Sequence, residues 1–136
     1  MQDNAPPNIH STYLRLRPDS TVEKLPVDVD VFVRGIGGDW TDGAANRMSY
    51  LGSSIYALNR SVAAAANEFK VASSDWATVN CGAGTAGDTV TVGTTLAVAC
   101  GDGTGNRKLT PAKAGTYTFQ YKRITATAGE VAVSGP

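Results

Sequence analysis

The chain has 136 residues, 12 basic and 12 acidic groups and one histidine, with 42% apolar residues. That length fits one domain able to bury its own core. Zero net charge and no long basic run argue against a nucleic-acid partner or a membrane-surface patch, and no apolar stretch approaches the 18 residues of a spanning helix.

In chain order, Met1 is followed by Gln-Asp-Asn, with no charged and apolar leader pattern. Met1 reads as an added start residue on a piece of a longer protein. Residues 1–26 hold four of the six prolines and read as a linker or N-terminal extension. Within them, Asn4–Asn8 is extended, and Tyr13–Arg17 alternates like a short edge strand that Pro18 stops. Residues 27–136 form the domain. Val27, Val29, Val31 and Val33 occupy alternate positions and predict a half-buried strand, broken by Gly35–Asp39. Ile55–Arg60 and Glu68–Val71 alternate again; Phe69 and Val71 face inward, which turns Lys70 to solvent. The alanines at 63–66 are too few for a stable helix. They read as a hairpin turn joining the strands near Tyr56 and Phe69, with a single helical turn as the alternative. Thr89–Val92, Leu96–Val98 and Glu130–Val133 are further strands. In Thr116–Tyr121 three aromatics share one face. Short strands punctuated by Gly, Asn and Pro predict an all-β antiparallel sandwich or barrel.

Catalysis finds little support. His10 lies in the tail, where no pocket would hold a general base, and the carboxylates nominate no pair. Two cysteines and one tail histidine cannot make a tetrahedral zinc site. Asp102–Asn106 lacks the oxygen-ligand spacing of a calcium loop and reads as a turn. Cys81 and Cys100, an even pair without a catalytic partner, suggest a disulfide and an oxidising compartment; two buried free thiols are the alternative.

Trp40 and Trp76 are the chemistry-bearing candidates. Both follow an aspartate in polar loops, outside the apolar alternation typical of a core tryptophan. Each either caps the end of the core or offers a flat face on which a sugar ring stacks, with neighbouring polar groups bonding its hydroxyls. Lys70 and Asn80 are the polar candidates beside Trp76; an ordinary exposed lysine is the plainer reading of Lys70.

Five segments occur in an order that resembles starch-binding domains: Val31–Gly35, Gly38–Trp40, Met48–Tyr50, Glu68–Trp76 and Gly115–Phe119. The match covers roughly residues 30–133. It is similar to the accessory modules of bacterial amylases and pullulanases, and to carbohydrate-binding module families 20, 48 and 69. The resemblance implies an immunoglobulin-like β-sandwich. It also implies a shallow site in which Trp40 and Trp76 stack on the glucan while Lys70 and Asn80 bond its hydroxyls. This chain departs in its short Ile36–Trp40 loop, in Cys81 where relatives often carry an aromatic, and in the glycine-rich stretch after Cys100; no second sugar site maps onto it. The implied partners are starch, maltooligosaccharides and cyclodextrin. No nucleic acid, membrane or cofactor is implied, and the protein is expected to be a monomer, secreted as part of a parent enzyme. An immunoglobulin-like spacer or protein-interaction domain without sugar binding is the alternative. Because the two tryptophans are 36 positions apart, only the fold can unite them. Their rings are expected within about 10 Å, the span of a disaccharide contacting two stacked platforms. If their parent strands are antiparallel neighbours, the rings leave from opposite ends and meet only where a loop folds back across the edge; strands parallel in projection, or juxtaposed from facing sheets, are the other routes.

Overall fold

The computed structural model describes residues 14–16, 22–84 and 88–136. The Asn4–Asn8 extension and the setting of His10 lie outside these residues. Among the described residues eleven strands form and no α-helix does. β1 (Leu14–Leu16) and β2 (Val22–Lys24) make a separate antiparallel pair, so the middle of the expected edge strand is a strand, with a partner that the sequence reading lacked; Tyr13 and Arg17 lie outside the described residues. The remaining strands are β3 (Phe32–Arg34), β4 (Ser49–Gly52), β5 (Ile55–Val62), β6 (Asn67–Ala72), β7 (Asn80–Gly82), β8 (Thr95–Cys100), β9 (Arg107–Leu109), β10 (Gly115–Thr125) and β11 (Ala128–Ser134). They form one antiparallel sheet in the order β3-β6-β7-β8-β11-β10-β5-β4, with β9 added beside β6.

This sheet curls into a sandwich. Phe69 of β6 meets Phe119 of β10 edge to face at 5.4 Å between centroids, and Cys81 of β7 lies against the Tyr121 hydroxyl of β10. The two edges of the sheet almost close: Met48 N–H donates to Val31 C=O at 2.8 Å, and Phe32 bridges Arg47. The expected aromatic strand is the centre of one layer. Tyr117, Phe119 and Tyr121 are all buried, and β10 pairs along most of its length with β5 and β11.

Three strand readings need correction. The Val27–Val33 alternation correctly gives the inward set, with Val27, Val31 and Val33 buried. Only Phe32–Arg34, however, has a partner strand to form a ladder with. At Thr89–Val92 there is a single parallel bridge from Thr89 to Lys108 rather than a strand, and Gly93 in the left-handed region ends the segment. Residues 63–66 make neither a hairpin nor a helical turn. β5 is taken by β10 and β4, and β6 by β3, β7 and β9. The long ladder to β10 sets Phe119 opposite Leu58 and Tyr121 opposite Tyr56, cross-strand pairs that favour this partner. The alanines therefore carry the chain between layers. Asn67 Nδ2 holds the crossing by donating to Ala65 C=O at 2.8 Å.

Candidate tryptophan site

The outer face of β3, β6 and β7 positions the site. Val33, Phe69, Val71 and Cys81 point into the core, so strand alternation sends Phe32, Arg34, Lys70, Ala72, Asn80 and Gly82 to the other side. The ladder sets them in two rows: Phe32–Ala72–Asn80 and Arg34–Lys70–Gly82. Loops cover this face, and two of them carry the tryptophans.

β3 and β6 are antiparallel neighbours, so Trp40 and Trp76 leave from opposite ends. Their rings nevertheless sit 6.3 Å apart between centroids, tilted by 40°. Two features bring them together. The paired stretch is three residues long, which separates its ends by only about 7 Å. In addition, the chain after β3 doubles back. Gly35 N–H donates to Asp39 C=O at 2.7 Å, closing a tight turn over Ile36–Gly38. Gly35 has φ +125°, and a Cβ there would lie 2.3 Å from Glu68 O and 2.7 Å from Trp40 Cη2. The missing side chain is thus the seat of the Trp40 ring. Both tryptophans are partly buried residues.

Each tryptophan follows an aspartate that organises its loop. Asp39 Oδ1 accepts from Thr41 Oγ1 at 2.6 Å and from Thr41 N–H at 3.1 Å. Asp75 Oδ1 accepts from Ser73 Oγ at 2.5 Å and from the N–H groups of Ala77 and Thr78 at 3.0 Å each, while its Oδ2 accepts from Thr78 Oγ1 at 2.7 Å. These are turns closed by an aspartate side chain onto its own backbone. The second holds Trp76 at φ +56°, a conformation that bulky residues rarely adopt and that the surrounding bonds must enforce. The repeated Asp-Trp pair was visible in the sequence; its meaning as a turn lock was not.

The bonds from Ser73 and Thr78, and then those from the backbone, hold the Asp75 carboxyl well below its ordinary 3.8. A carboxylate depressed in the folded state contributes its full stability above its unfolded value and loses it progressively as pH falls from there to the lower folded value, where the folded-state carboxyl itself takes up the proton. Tryptophan fluorescence is therefore expected to stay constant from neutral pH to about pH 4 and to change only in stronger acid. Asp75→Ala should produce the loosened spectrum at pH 7 and weaken ligand binding severalfold. A transition centred at the ordinary carboxylate value would contradict this lock.

Three further residues fix the site, and the sequence reading missed them. Asn46, buried, donates from Nδ2 to Thr41 C=O at 3.0 Å and to Asp39 C=O at 3.4 Å. Arg60 Nε donates to Asn46 Oδ1 at 3.2 Å, and the Arg60 guanidinium lies 3.8 Å from Asp39 Oδ2. Arg34 reaches both tryptophan loops: Nε donates to Trp40 C=O at 2.7 Å, and Nη1 to Ser73 C=O at 2.9 Å and Ser74 C=O at 3.2 Å. Its guanidinium carbon stands 3.9 Å from the centre of the Trp76 ring.

The expected polar pair is placed differently. Lys70 leaves the core face as the alternation requires, but it does not reach solvent. It is 8% exposed, and Nζ donates to the carbonyl and hydroxyl oxygens of Thr104 at 2.9 and 2.8 Å. The 101–106 loop lies across it because Gly105 and Ala83 exchange two backbone bonds. That approach needs glycine at 82, where a Cβ would stand 2.0 Å from Gly105 O. Burial lowers the Lys70 pKa, with Asp102 opposing the shift. Asn80 is half-buried in the adjacent row, and its Oδ1 is buried without a hydrogen-bond partner. Cys81 and Cys100, directly opposite on β7 and β8, form a disulfide.

An open cleft of about 680 Å³ lies beside the 101–106 loop, with Glu68, Asp88, Asp102, Thr104 and Lys108 in its wall. Its described lining contains no aromatic ring. Among the described residues no group of three or more His, Cys, Asp or Glu could hold a metal ion.

No protein-family model and no curated protein matches this chain. A solved structure described as the ligand-induced structure of AmyP-SBD, a starch-binding domain, superposes with a TM-score of 0.61. It is 22% identical in sequence, and the match covers 82% of this chain and 75% of that one. The chain therefore has the β-sandwich fold of that starch-binding domain.

Proposed function

We propose that the domain at residues 27–136 is a noncatalytic α-glucan-binding module, with Trp40 and Trp76 as the stacking platforms and residues 1–26 as an N-terminal extension. The observation that carries this reading is the tilted, half-buried tryptophan pair at 6.3 Å, supported by the fold shared with a starch-binding domain. An α-1,4-glucan curves, so successive rings can lie on two angled platforms, whereas a flat β-glucan prefers coplanar ones. Asn80 is half-buried and its Oδ1 is enclosed, so it bonds a sugar hydroxyl only if its amide turns outward. Lys70 serves the ligand only if Thr104 gives up its place at Nζ. Two tryptophans that are only partly buried favour this reading over a spacer or protein-interaction domain, in which both would be sealed in the core. The module would act as a monomer without a cofactor. Attached to an amylolytic enzyme, it would raise that enzyme's concentration at starch. The disulfide suits a secreted protein.

Titration with cyclodextrin and with linear maltooligosaccharides, followed by tryptophan fluorescence, tests the reading. Saturable change with these sugars and none with cellooligosaccharides is expected; no response to any α-glucan would refute it. Because a neutral sugar displaces no counterions, affinity is expected to stay nearly constant between low and moderate salt. A tenfold loss, as for a charged ligand making several ion contacts, would contradict it.

A further inference from the structure

We infer that Arg34 is a positioning residue that sets the angle between the two tryptophans and, through it, the preference for a curved over an extended glucan. The selectivity half of this inference rests on the glucan reading above; the positioning half does not.

Arg34 is 7% exposed and donates to three main-chain carbonyls: Trp40 on one loop, Ser73 and Ser74 on the other. A buried cation is costly unless its N–H groups are satisfied. Here each satisfied N–H fixes the backbone of a tryptophan-bearing loop. The same planar group stacks on Trp76 at 3.9 Å, an attraction of the cation for the ring face. One rigid fork therefore holds the backbone at Trp40, the turn that starts the Trp76 loop, and the Trp76 ring itself.

The two rings belong to loops that leave an antiparallel pair from opposite ends, so the sheet alone does not fix the angle between them. Arg34 is the last residue of β3, set on rigid sheet between the two loops. Lysine cannot replace it, since an ammonium offers neither a planar face to the ring nor a fork with fixed geometry. A platform whose angle is fixed before the ligand arrives loses less on binding. Its selectivity then follows from the match between that angle and the curvature of the glucan.

The experiment compares the wild type with Arg34→Met and Arg34→Lys. Near-ultraviolet circular dichroism of the free proteins reports the mutual arrangement of the rings, and thermal melting reports the fold. Affinities for a cyclic and a linear maltooligosaccharide are measured in parallel. Both variants are expected to lose much of the tryptophan dichroism. Both should also lose about tenfold in affinity for the cyclic sugar, a change of hot-spot size, with a smaller loss for the linear one. If Arg34→Met fails to fold, Arg34→Lys, which keeps the charge and the alkyl stem, decides by the same readouts. Wild-type dichroism in a folded variant would overturn the positioning role. An unchanged cyclic-to-linear ratio would overturn the selectivity role. If the wild type binds no α-glucan, the glucan reading and the selectivity fall together, while the dichroism still tests the positioning role on its own.

Discussion

Replacing Trp40 and Trp76 together by alanine is expected to abolish retention on α-glucan, and each single replacement to weaken binding by about 1–3 kcal/mol, the size of an aromatic hot spot. The single losses should not add. One ligand spans both rings, and the rings also lie against each other at 6.3 Å, so removing the first changes what the second contributes. Each ring is half-buried, so a modest fall in melting temperature should accompany the loss. The two substitutions differ in a further way. Trp76 sits at φ +56°, so Trp76→Gly should be better tolerated by the backbone than Trp76→Ala while losing the same stacking surface. Calorimetric titration of the wild type, the two alanine variants and the double variant with a cyclic maltooligosaccharide checks the binding losses, and thermal melting of Trp76→Gly against Trp76→Ala checks the backbone effect. Normal binding by the double variant would place the site elsewhere.

Reducing the Cys81–Cys100 bond is expected to produce a large loss of stability. The bridge closes a loop with a separation of 19 residues, worth about 3 kcal/mol in the chain-entropy account. It ties β7 to β8 at directly opposed positions, where the sheet passes from the strands under the tryptophan site to those around β10. Cys81 is buried in the core against Tyr121, so a Cys81→Ser, Cys100→Ser variant also loses packing. Glucan affinity of the folded variant should change little, because both tryptophan loops are fixed from β3, β5 and their own aspartates. Denaturant unfolding with and without reductant measures the effect. An unchanged midpoint would contradict the structural role, and a selective loss of affinity at unchanged stability would relocate the bond to the binding machinery.

Local patterns carried much of this fold. The alternation in Thr116–Tyr121 identifies the inward aromatics of β10, because burial on one side of a strand writes a period of two into the residues themselves. The two tryptophans stood out because their neighbours are polar; the sequence left several routes by which they could meet, and the folded-back loop after β3 is the one used. What escaped depends on pairs far apart in the chain. The alanines at 63–66 look like a hairpin turn only until β10, some 50 residues later, takes β5 as its partner. Lys70 alternates outward correctly, but its covering loop arrives 34 positions later. Arg34 reads as an ordinary polar position in a strand. Its acceptors, Ser73 and Ser74, lie 39 and 40 positions away and use main-chain oxygens, which leave no trace in side-chain identity. Asn46 is hidden for the same reason: it holds Asp39 and Thr41 by their carbonyls.

The central claim, that the tilted tryptophan pair makes this domain an α-glucan binder, is tested most directly by depletion of the purified protein from solution by granular starch and by microcrystalline cellulose. Saturable depletion by starch, reversed by soluble maltooligosaccharide, with no depletion by cellulose, is the predicted result. Equal retention on both solids, or retention on neither, would contradict it.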